Sequence, residues 1–211
     1  MTRIILLLGI ATAIGACNLI QPEKKILPIL GERSLSEKGD TIYAQVPDFE
    51  FVDQDSQLVN NRTFEGKLYV VDFFFIHCPT ICPKVTANCL RIYEKYKNDD
   101  RLFLLAHSVD TRNDTVDALR RHAQKLKVNT NKWHFVTGDR DKIYSIADKY
   151  FMINPSEDKE APGGFNHDGK IVLVDKNRRV RAFCDGTKAE SVDAFMKDID
   201  LLLAEQFGTS H

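Results

Sequence analysis

Continuous apolar runs, and stretches in which apolar and polar residues alternate, predict several strands along the chain. GKLYVVDFFFI is a continuous series of β-branched and aromatic residues, which is typical of a strand buried on both faces. RLFLLAHSVD predicts a second buried strand and KWHFVTGD a shorter one. PDFEFVDQDSQLVNN alternates apolar and polar residues around an Asp/Ser turn, which predicts a hairpin before the first buried strand. KIVLVDKNRRVRAFCDG predicts a second hairpin that turns near residues 175–177.

Apolar residues at helical spacing predict four helices between and after these strands. Pro83 suits the first turn of the first helix, and we expect Asn113 or Asp114 to cap the second. The fourth helix covers about residues 191–207. The apolar faces of the first three are Val85, Cys89, Ile92, Tyr93 and Tyr96; Val116, Leu119, Ala123 and Leu126; and Ile143, Ile146, Ala147 and Tyr150. This alternation predicts an α/β fold with a mainly parallel sheet covered by helices on both faces.

The N-terminal segment has a different pattern. MTRIILLLGIATAIGAC holds one arginine and then an apolar run over residues 4–16, shorter than the ~20 residues that a membrane-spanning helix needs. Small residues precede Cys17, as in an export signal, and the segment resembles the lipobox of bacterial lipoproteins. We therefore expect a signal peptide over residues 1–16 and a lipid on Cys17. Prolines, glycines and scattered charges predict a tether over 17–46, followed by one domain over 47–211.

Charge and cysteine content narrow the classes of function. Lys plus Arg number 29 and Asp plus Glu 30, so the chain lacks the basic excess of a nucleic-acid-binding protein. If Cys17 carries lipid, four cysteines remain in a domain that faces an oxidising compartment. These are too few to staple a chain of 211 residues as a disulfide scaffold, so some of them are candidates for a special task.

The stretch HCPTICPK places Cys78 and Cys82 between a buried strand and a helix start. The positive end of the helix dipole favours thiolate there, and thiolate is the form that attacks disulfides and binds metals. Three intervening residues let both sulfurs converge over roughly one helical turn. The pair could form a disulfide or bind one soft ion, and thiolates suit monovalent copper better than calcium or magnesium.

A third ligand would complete such a site, and His167 is the candidate. It ends the glycine-containing loop APGGFNHDGK just before a strand, and loops held by a rigid sheet commonly carry function. Spacing alone does not bring His167 to Cys78. We expect structural roles for the other histidines, which are His77, His107, His122, His134 and His211.

The two remaining cysteines have structural interpretations. Cys89 lies on the apolar face of the first predicted helix, where a thiol behaves as a small hydrophobic group. Cys184 lies late in the second hairpin. A disulfide between them is an alternative that the sequence leaves open.

HCPTICPK resembles the CxxxCP segment of the Sco/SenC copper-binding proteins. AHSVDTRNDT, WHFVTGD and FNHDGKIVLVDKNRRVRAFCDGT resemble later segments of that family in the same order, so the resemblance spans about residues 48–187. It implies a thioredoxin-like fold with a central mixed sheet and an N-terminal hairpin extension. It also implies copper held by Cys78, Cys82 and His167.

The resemblance further implies a location and a role. Such proteins are tethered to a membrane outside the cytoplasm, here in the cell envelope, and help to mature the binuclear copper site of cytochrome c oxidase. The implied partners are the oxidase subunit that carries this site, other copper chaperones and thiol reductases. Thr80 and Asn166 depart from the family, because many members have acidic residues at both positions. Outer groups tune ligands, so these departures bear on copper affinity and redox potential.

Two other functions use the same cysteines. In a thiol–disulfide oxidoreductase, Cys78 would attack and Cys82 would resolve, although familiar reductases have two residues between their cysteines rather than three. A peroxidase-like or sensory protein would need polar groups around a reactive cysteine, and the sequence identifies none. We expect an assembly factor rather than an enzyme with turnover.

Overall fold

The computed structural model describes residues 26–150, 155–166 and 168–208. The predicted signal peptide, Cys17 and His167 lie outside these residues. Within the described part, none of the helices is both long and apolar enough to span a bilayer.

The described residues form eleven strands and four α-helices. The strands are β1 (Arg33–Leu35), β2 (Thr41–Tyr43), β3 (Glu50–Asp53), β4 (Leu58–Asn60), β5 (Leu68–Phe74), β6 (Leu102–Ser108), β7 (Trp133–Thr137), β8 (Ser156–Glu157), β9 (Phe165–Asn166), β10 (Lys170–Val174) and β11 (Val180–Asp185). The helices are α1 (Cys82–Tyr96), α2 (Val116–Leu126), α3 (Arg140–Lys149) and α4 (Ala189–Phe207).

Seven strands form one mixed sheet in the order β11-β10-β5-β6-β7-β3-β4. β5, β6 and β7 run parallel, as expected for strands joined through helices. The β10–β11 and β3–β4 hairpins are antiparallel to this centre and extend it on both sides. The α/β class and the central mixed sheet are confirmed. The expectation of a mainly parallel sheet is wrong, because both predicted hairpins join the same sheet.

The central strand β5 is buried throughout, as its apolar run predicts. Successive side chains point to opposite faces of a strand. Phe73 stacks on His107 of β6 at a ring-centroid distance of 4.7 Å, whereas Phe74 stacks on His122 of α2 at 5.4 Å. Asp72 therefore shares the face of Phe74, on the side of the sheet that α2 covers.

The segment before residue 47 packs on the domain in the part that the structure describes. The buried guanidinium of Arg181 donates to the carbonyls of Leu27 and Pro28, at 2.5 and 3.1 Å. The backbone N–H of Leu30 donates to the carbonyl of Val180. Residues 26–46 thus pack on the domain, whereas the sequence predicts a tether over residues 17–46. Their polar backbone groups are satisfied by distant residues, which local sequence patterns do not reveal.

The cap of α2 is also different from the expected one. Thr115 is the N-cap, and its hydroxyl accepts from the N–H of Ala118 at 3.3 Å. Asp114 is buried and accepts instead from the Ser108 hydroxyl at 2.6 Å and from the Ile76 N–H at 3.1 Å. Asp114 therefore connects the end of β6 to the segment that leads to the cysteines.

The predicted loop over residues 151–166 contains more order than expected in its described part. The two-residue strands β8 and β9 pair antiparallel within it. Glu157 forms ion pairs with Arg112 at 2.6 Å and with Arg140 at 3.2 Å. The loop is therefore joined to the domain at its start.

Candidate metal centre

The cysteine pair lies where β5 gives way to α1, at the carboxyl end of the parallel strands. Cys82 is the first residue of α1, and Pro83 follows in the first turn, as predicted. The backbone N–H of Cys78 donates to the Phe75 carbonyl at 3.3 Å, which turns the chain back toward the helix start. Both cysteine side chains are buried, and all four described cysteines are thiols.

Hydrogen bonds give the two thiols different pKa values. Burial acts to raise the pKa of Cys78, but hydrogen bonds from the Cys82 thiol, from backbone N–H groups and from Thr80 outweigh it and lower this pKa below its usual value. The Cys82 N–H lies 3.4 Å from Cys78 Sγ, and the Thr80 hydroxyl 3.8 Å from it. Burial, and donation to Cys78, raise the pKa of Cys82 well above its usual value. Cys78 is therefore the more acidic thiol of the pair.

Asp72 is a third ionisable group near this pair, and the sequence analysis did not single it out. Burial raises the pKa of its carboxyl group to about 7. Its negative charge contributes to the raised pKa values of Cys82 and Cys89. The available signal was one acidic residue inside the apolar run YVVDFFF, because a carboxyl group is rarely buried without a reason.

The predicted third ligand, His167, lies outside the described residues, but residues on both sides of it in the chain contact the cysteine segment (residues 75–85). The ring centroids of Phe165 and Phe75 are 5.0 Å apart. A Cβ atom on Gly163 would lie 2.8 Å from the Phe75 ring and 3.0 Å from Pro79. On the other flank, a Cβ atom on Gly169 would lie 3.3 Å from Val85 of α1.

Three of the other described histidines, His107, His122 and His134, pack within the domain. His107 is fully buried against the rings of Phe49, Phe51, Phe73 and Tyr150, and burial lowers its pKa to about 3. His134 lies 3.0 Å from an Asp53 carboxylate oxygen. His77 is exposed next to buried Cys78. Among the described residues, no group of three His, Cys, Asp or Glu side chains is placed to hold a metal ion.

Cys89 and Cys184 are buried thiols, so the structure contains packing residues rather than the alternative disulfide. Burial raises the pKa of Cys184 to about 12 and that of Cys89 well above its usual value. Neither thiol is poised for reaction, because the thiolate is the reactive form.

The donor chemistry of the described pair fits a soft ion. Cys78 is the more acidic thiol, and Cys82, the first residue of α1, adds a second sulfur beside it, and monovalent copper prefers such soft ligands. Hard cations such as magnesium and calcium take oxygen ligands instead.

A model of the SCO1/SenC family matches residues 38–204 of the chain. The chain belongs to this family. The match covers the cysteine pair, both flanks of His167 and all but the last residues of α4.

Solved structures of family members share the fold. A SCO1/SenC family lipoprotein from Bacillus anthracis is 24% identical with a TM-score of 0.68, over 75% of this chain and 94% of that one. BsSco, described as a cytochrome c oxidase assembly protein with a disulfide switch, is 27% identical with a TM-score of 0.65, over 75% and 92%. Copper-bound ScoI from Arabidopsis thaliana is 21% identical with a TM-score of 0.64, over 77% and 99%. The thioredoxin-like fold is thereby confirmed.

Proposed function

We propose that the protein binds one copper ion through Cys78, Cys82 and His167 and acts in assembly of the binuclear copper site of cytochrome c oxidase. The observation that carries the proposal is the unequal thiol pair at the start of α1, in a chain of the SCO1/SenC family. Copper is cargo in this role, and the copper-site subunit of the oxidase is the partner. Other copper chaperones or thiol reductases supply the ion or the electrons.

The two cysteines have separate tasks in taking up copper. Cys78 meets the ion as a thiolate, because the N–H of Cys82 and the Thr80 hydroxyl stabilise its charge. Cys82 must lose its proton before it binds, since burial keeps it protonated at neutral pH. A threonine at position 80 favours this arrangement, because an acidic side chain there would place a like charge beside the thiolate.

His167 as the third ligand is supported by its neighbours in the chain. Phe165 contacts Phe75, three residues before Cys78, and Gly169 approaches Val85, three residues after Cys82. Imidazole completes a two-sulfur site for copper well, since it binds both oxidation states. Asn166 bonds to Asp158 at 2.9 Å and replaces the aspartate that many members have, so we expect its effect on affinity to be indirect.

The membrane tether belongs to the same proposal. A signal peptide over residues 1–16 is removed, Cys17 carries lipid, and the copper-binding domain of residues 47–211 works outside the cytoplasm in the cell envelope. The lipobox-like residues before Cys17 support this, as does the family lipoprotein from Bacillus anthracis. Residues 26–46 are docked on the domain, so the anchor at Cys17 lies close in sequence to a segment that packs on the folded unit.

Copper titration of the reduced protein, combined with sulfur- and copper-edge X-ray absorption, tests the assignment. We expect one copper ion with two sulfur ligands and one nitrogen ligand. The nitrogen should be lost in His167→Ala and retained in the control His77→Ala, which removes an exposed imidazole next to the same cysteines. Equal copper binding in wild type and His167→Ala would refute the ligand set.

A thiol–disulfide oxidoreductase is the second candidate, and the inequality of the thiols favours it. A thiolate-prone Cys78 beside a protonated Cys82 is the arrangement of an attacking and a resolving thiol. One dithiol can serve both roles. Rapid disulfide exchange that is unchanged in His167→Ala, together with weak copper binding, would establish the reductase as the main role.

A further inference from the structure

Exposed apolar side chains concentrate where the chain enters the domain. Five large apolar side chains are exposed among the described residues, and three of them lie in residues 26–46. Ile26 is 65% exposed, Leu35 of β1 is 74% exposed and Ile42 of β2 is 52% exposed. Clustering of this kind marks a surface that contacts something apolar, whereas scattered single residues do not.

The same segment is held firmly, so these side chains have a fixed place. Arg181 clamps Leu27 and Pro28, and the N–H of Val46 donates to the carbonyl of Arg178 at 2.8 Å. β1 and β2 form an antiparallel ribbon between these two attachments. Arg33, Leu35 and Tyr43 share one face of the ribbon, whereas Ile42 lies with Ser34 on the other face.

Two arginines border this apolar surface. The guanidinium of Arg33 lies 5.4 Å from the centre of the Tyr43 ring, and that of Arg179 lies 5.1 Å from it. Arg33 and Arg179 line one cleft of about 400 Å³ together with Ile26 and Tyr43. Neither arginine forms an ion pair with another described residue, whereas Arg181 in the same cleft is neutralised by Asp175 and Glu205.

We propose that this surface, formed by Ile26, Leu35, Tyr43, Arg33 and Arg179, lies on the lipid bilayer, with the apolar side chains in the interface and the arginines at lipid phosphates. The inference rests on the lipid anchor proposed above. Only eight residues lie between Cys17 and Ile26, and this stretch reaches at most about 30 Å when fully extended. The bilayer is therefore the apolar and anionic partner nearest to the surface.

This orientation has a consequence for the cysteines. The turn of residues 175–179 follows β10, whose last residue pairs with Tyr69 near the start of β5. The cysteine segment follows the other end of β5. A strand of seven residues is about 20 Å long, so the bilayer-facing surface and the thiol pair lie at opposite ends of the sheet. The cysteines then face away from the bilayer, toward the extramembrane part of a partner.

Fluorescence quenching by lipid tests the orientation. The chain has one tryptophan, Trp133, which is buried in β7 and supplies a constant background. Two variants of the full chain, Leu35→Trp and Ile42→Trp, each add one exposed indole. Ile42 is the matched control, because it is 52% exposed on the same ribbon but lies on the face opposite to Leu35 and Arg33. The mature proteins are reconstituted into phosphatidylethanolamine–phosphatidylglycerol vesicles with and without brominated acyl chains.

We expect brominated lipid to reduce the added emission of Leu35→Trp by about twofold or more, as for a side chain that enters the interface, and to leave Ile42→Trp unchanged. Equal quenching of the two variants, or quenching of neither, would overturn the proposed surface. Emission of Leu35→Trp that shifts with protein concentration and is insensitive to brominated lipid would instead assign the surface to a second copy of the chain.

Mass spectrometry of the Cys17 peptide and copper titration separate this proposal from the one it rests on. An unmodified Cys17 would remove the anchor and the bilayer contact together. Normal copper binding with an acylated Cys17 and no quenching would refute the bilayer surface alone. Both tryptophan variants should bind copper as wild type does, because the substituted positions are remote from the thiols.

Discussion

Asp72 places a carboxyl group in the most completely buried strand of the sheet. Burial raises its pKa to about 7, from an ordinary value of 3.8. The folded state therefore holds a proton between about pH 4 and pH 7 that the unfolded state has released. The free energy of unfolding should fall as the pH rises through this window. A carboxyl group retained at such a cost is a candidate for a role at the thiols, since its charge acts on Cys82.

Asp72→Asn should remove this dependence on pH. We expect the free energy of unfolding of the variant, relative to wild type, to increase by about 2–3 kcal/mol between pH 5 and pH 8, because the amide has no charge to bury. Urea denaturation at both pH values measures it. Asp100→Asn, at an exposed position, is the control and should follow wild type. A constant difference between Asp72→Asn and wild type at both pH values would contradict the prediction.

His107 has the opposite dependence on pH. Its pKa is lowered by burial to about 3 from an ordinary 6.5, so the unfolded state binds a proton first as the pH falls. Stability contributed by the neutral ring is full above about pH 6.5 and is lost toward pH 3. Neither ring nitrogen has a hydrogen-bond partner among the described residues. The ring acts as an aromatic packing element that happens to carry two polar atoms.

His107→Phe should therefore keep the packing and remove the polar cost. We expect the free energy of unfolding at pH 7 to rise by about 1–3 kcal/mol, and its decline between pH 6 and pH 4 to become shallower than in wild type. Thermal and urea denaturation across this range provide the measurement. Lower stability of the variant at pH 7 would show that the nitrogens have partners, such as buried water, that the ring needs.

The loop between β8 and β10 packs against the cysteine segment. Gly163 and Gly164 both adopt positive φ angles, of 80° and 86°. They differ in their surroundings, because a Cβ atom on Gly163 would overlap Phe75 and Pro79, whereas one on Gly164 would have no heavy atom within 4 Å. Backbone strain and contact with the cysteine segment can thus be separated by two neighbouring substitutions.

Gly163→Ala should weaken copper binding, whereas Gly164→Ala should not. Both variants carry the cost of an alanine at positive φ, about 1 kcal/mol, and Gly163→Ala adds the overlap with Phe75 and Pro79, so its unfolding midpoint should fall further than that of Gly164→Ala. Only Gly163→Ala lifts the loop from Phe75, and we expect it to reduce copper affinity by roughly tenfold, as loss of supporting contacts does at metal sites. Competition with a copper chelator measures this. Equal affinities in the two variants would show that the loop does not support the site.

At the level of elements, local patterns predicted what local forces determine. Alternation and continuous apolar runs predicted both hairpins and the buried strands, and helical spacing predicted α1 to α4, because each depends on residues close together in the chain. The cap of α2 could not be predicted in this way. Asp114 was the better candidate by position, but the Ser108 hydroxyl and the Ile76 N–H occupy its carboxylate, so Thr115 caps the helix. The thiol pair was predictable because its two residues share one turn.

At the level of the whole molecule, the segment that precedes the domain was the main feature that sequence patterns missed. Arg181 looks like a surface residue in KNRRVRAF, yet it is 3% exposed and is bonded to Asp175 and Glu205 as well as to the carbonyls of Leu27 and Pro28. These partners are up to 154 positions away in the chain. A free tether and a segment docked on the domain can have the same composition, and only the hydrogen bonds to distant residues distinguish them.

The hydrogen bonds of Arg181 to Leu27 and Pro28 place residues 26–46 inside the folded unit, and this N-terminal boundary can be tested directly. A chain that begins at residue 47 lacks the Leu27 and Pro28 carbonyls, and it leaves Arg181 with fewer acceptors in a site shared with two carboxylates. It also loses the buried side chains of Leu27 and Val46.

We expect the free energy of unfolding of the shorter chain to be about 2–4 kcal/mol lower than that of a chain beginning at residue 26, given the strength of hydrogen bonds to charged groups and the apolar area lost. Urea denaturation of the two chains measures the difference, and copper titration should give the same stoichiometry for both, because the thiols lie at the other end of β5. Equal unfolding midpoints would mean that residues 26–46 are held too weakly to fix the orientation of the domain on a membrane.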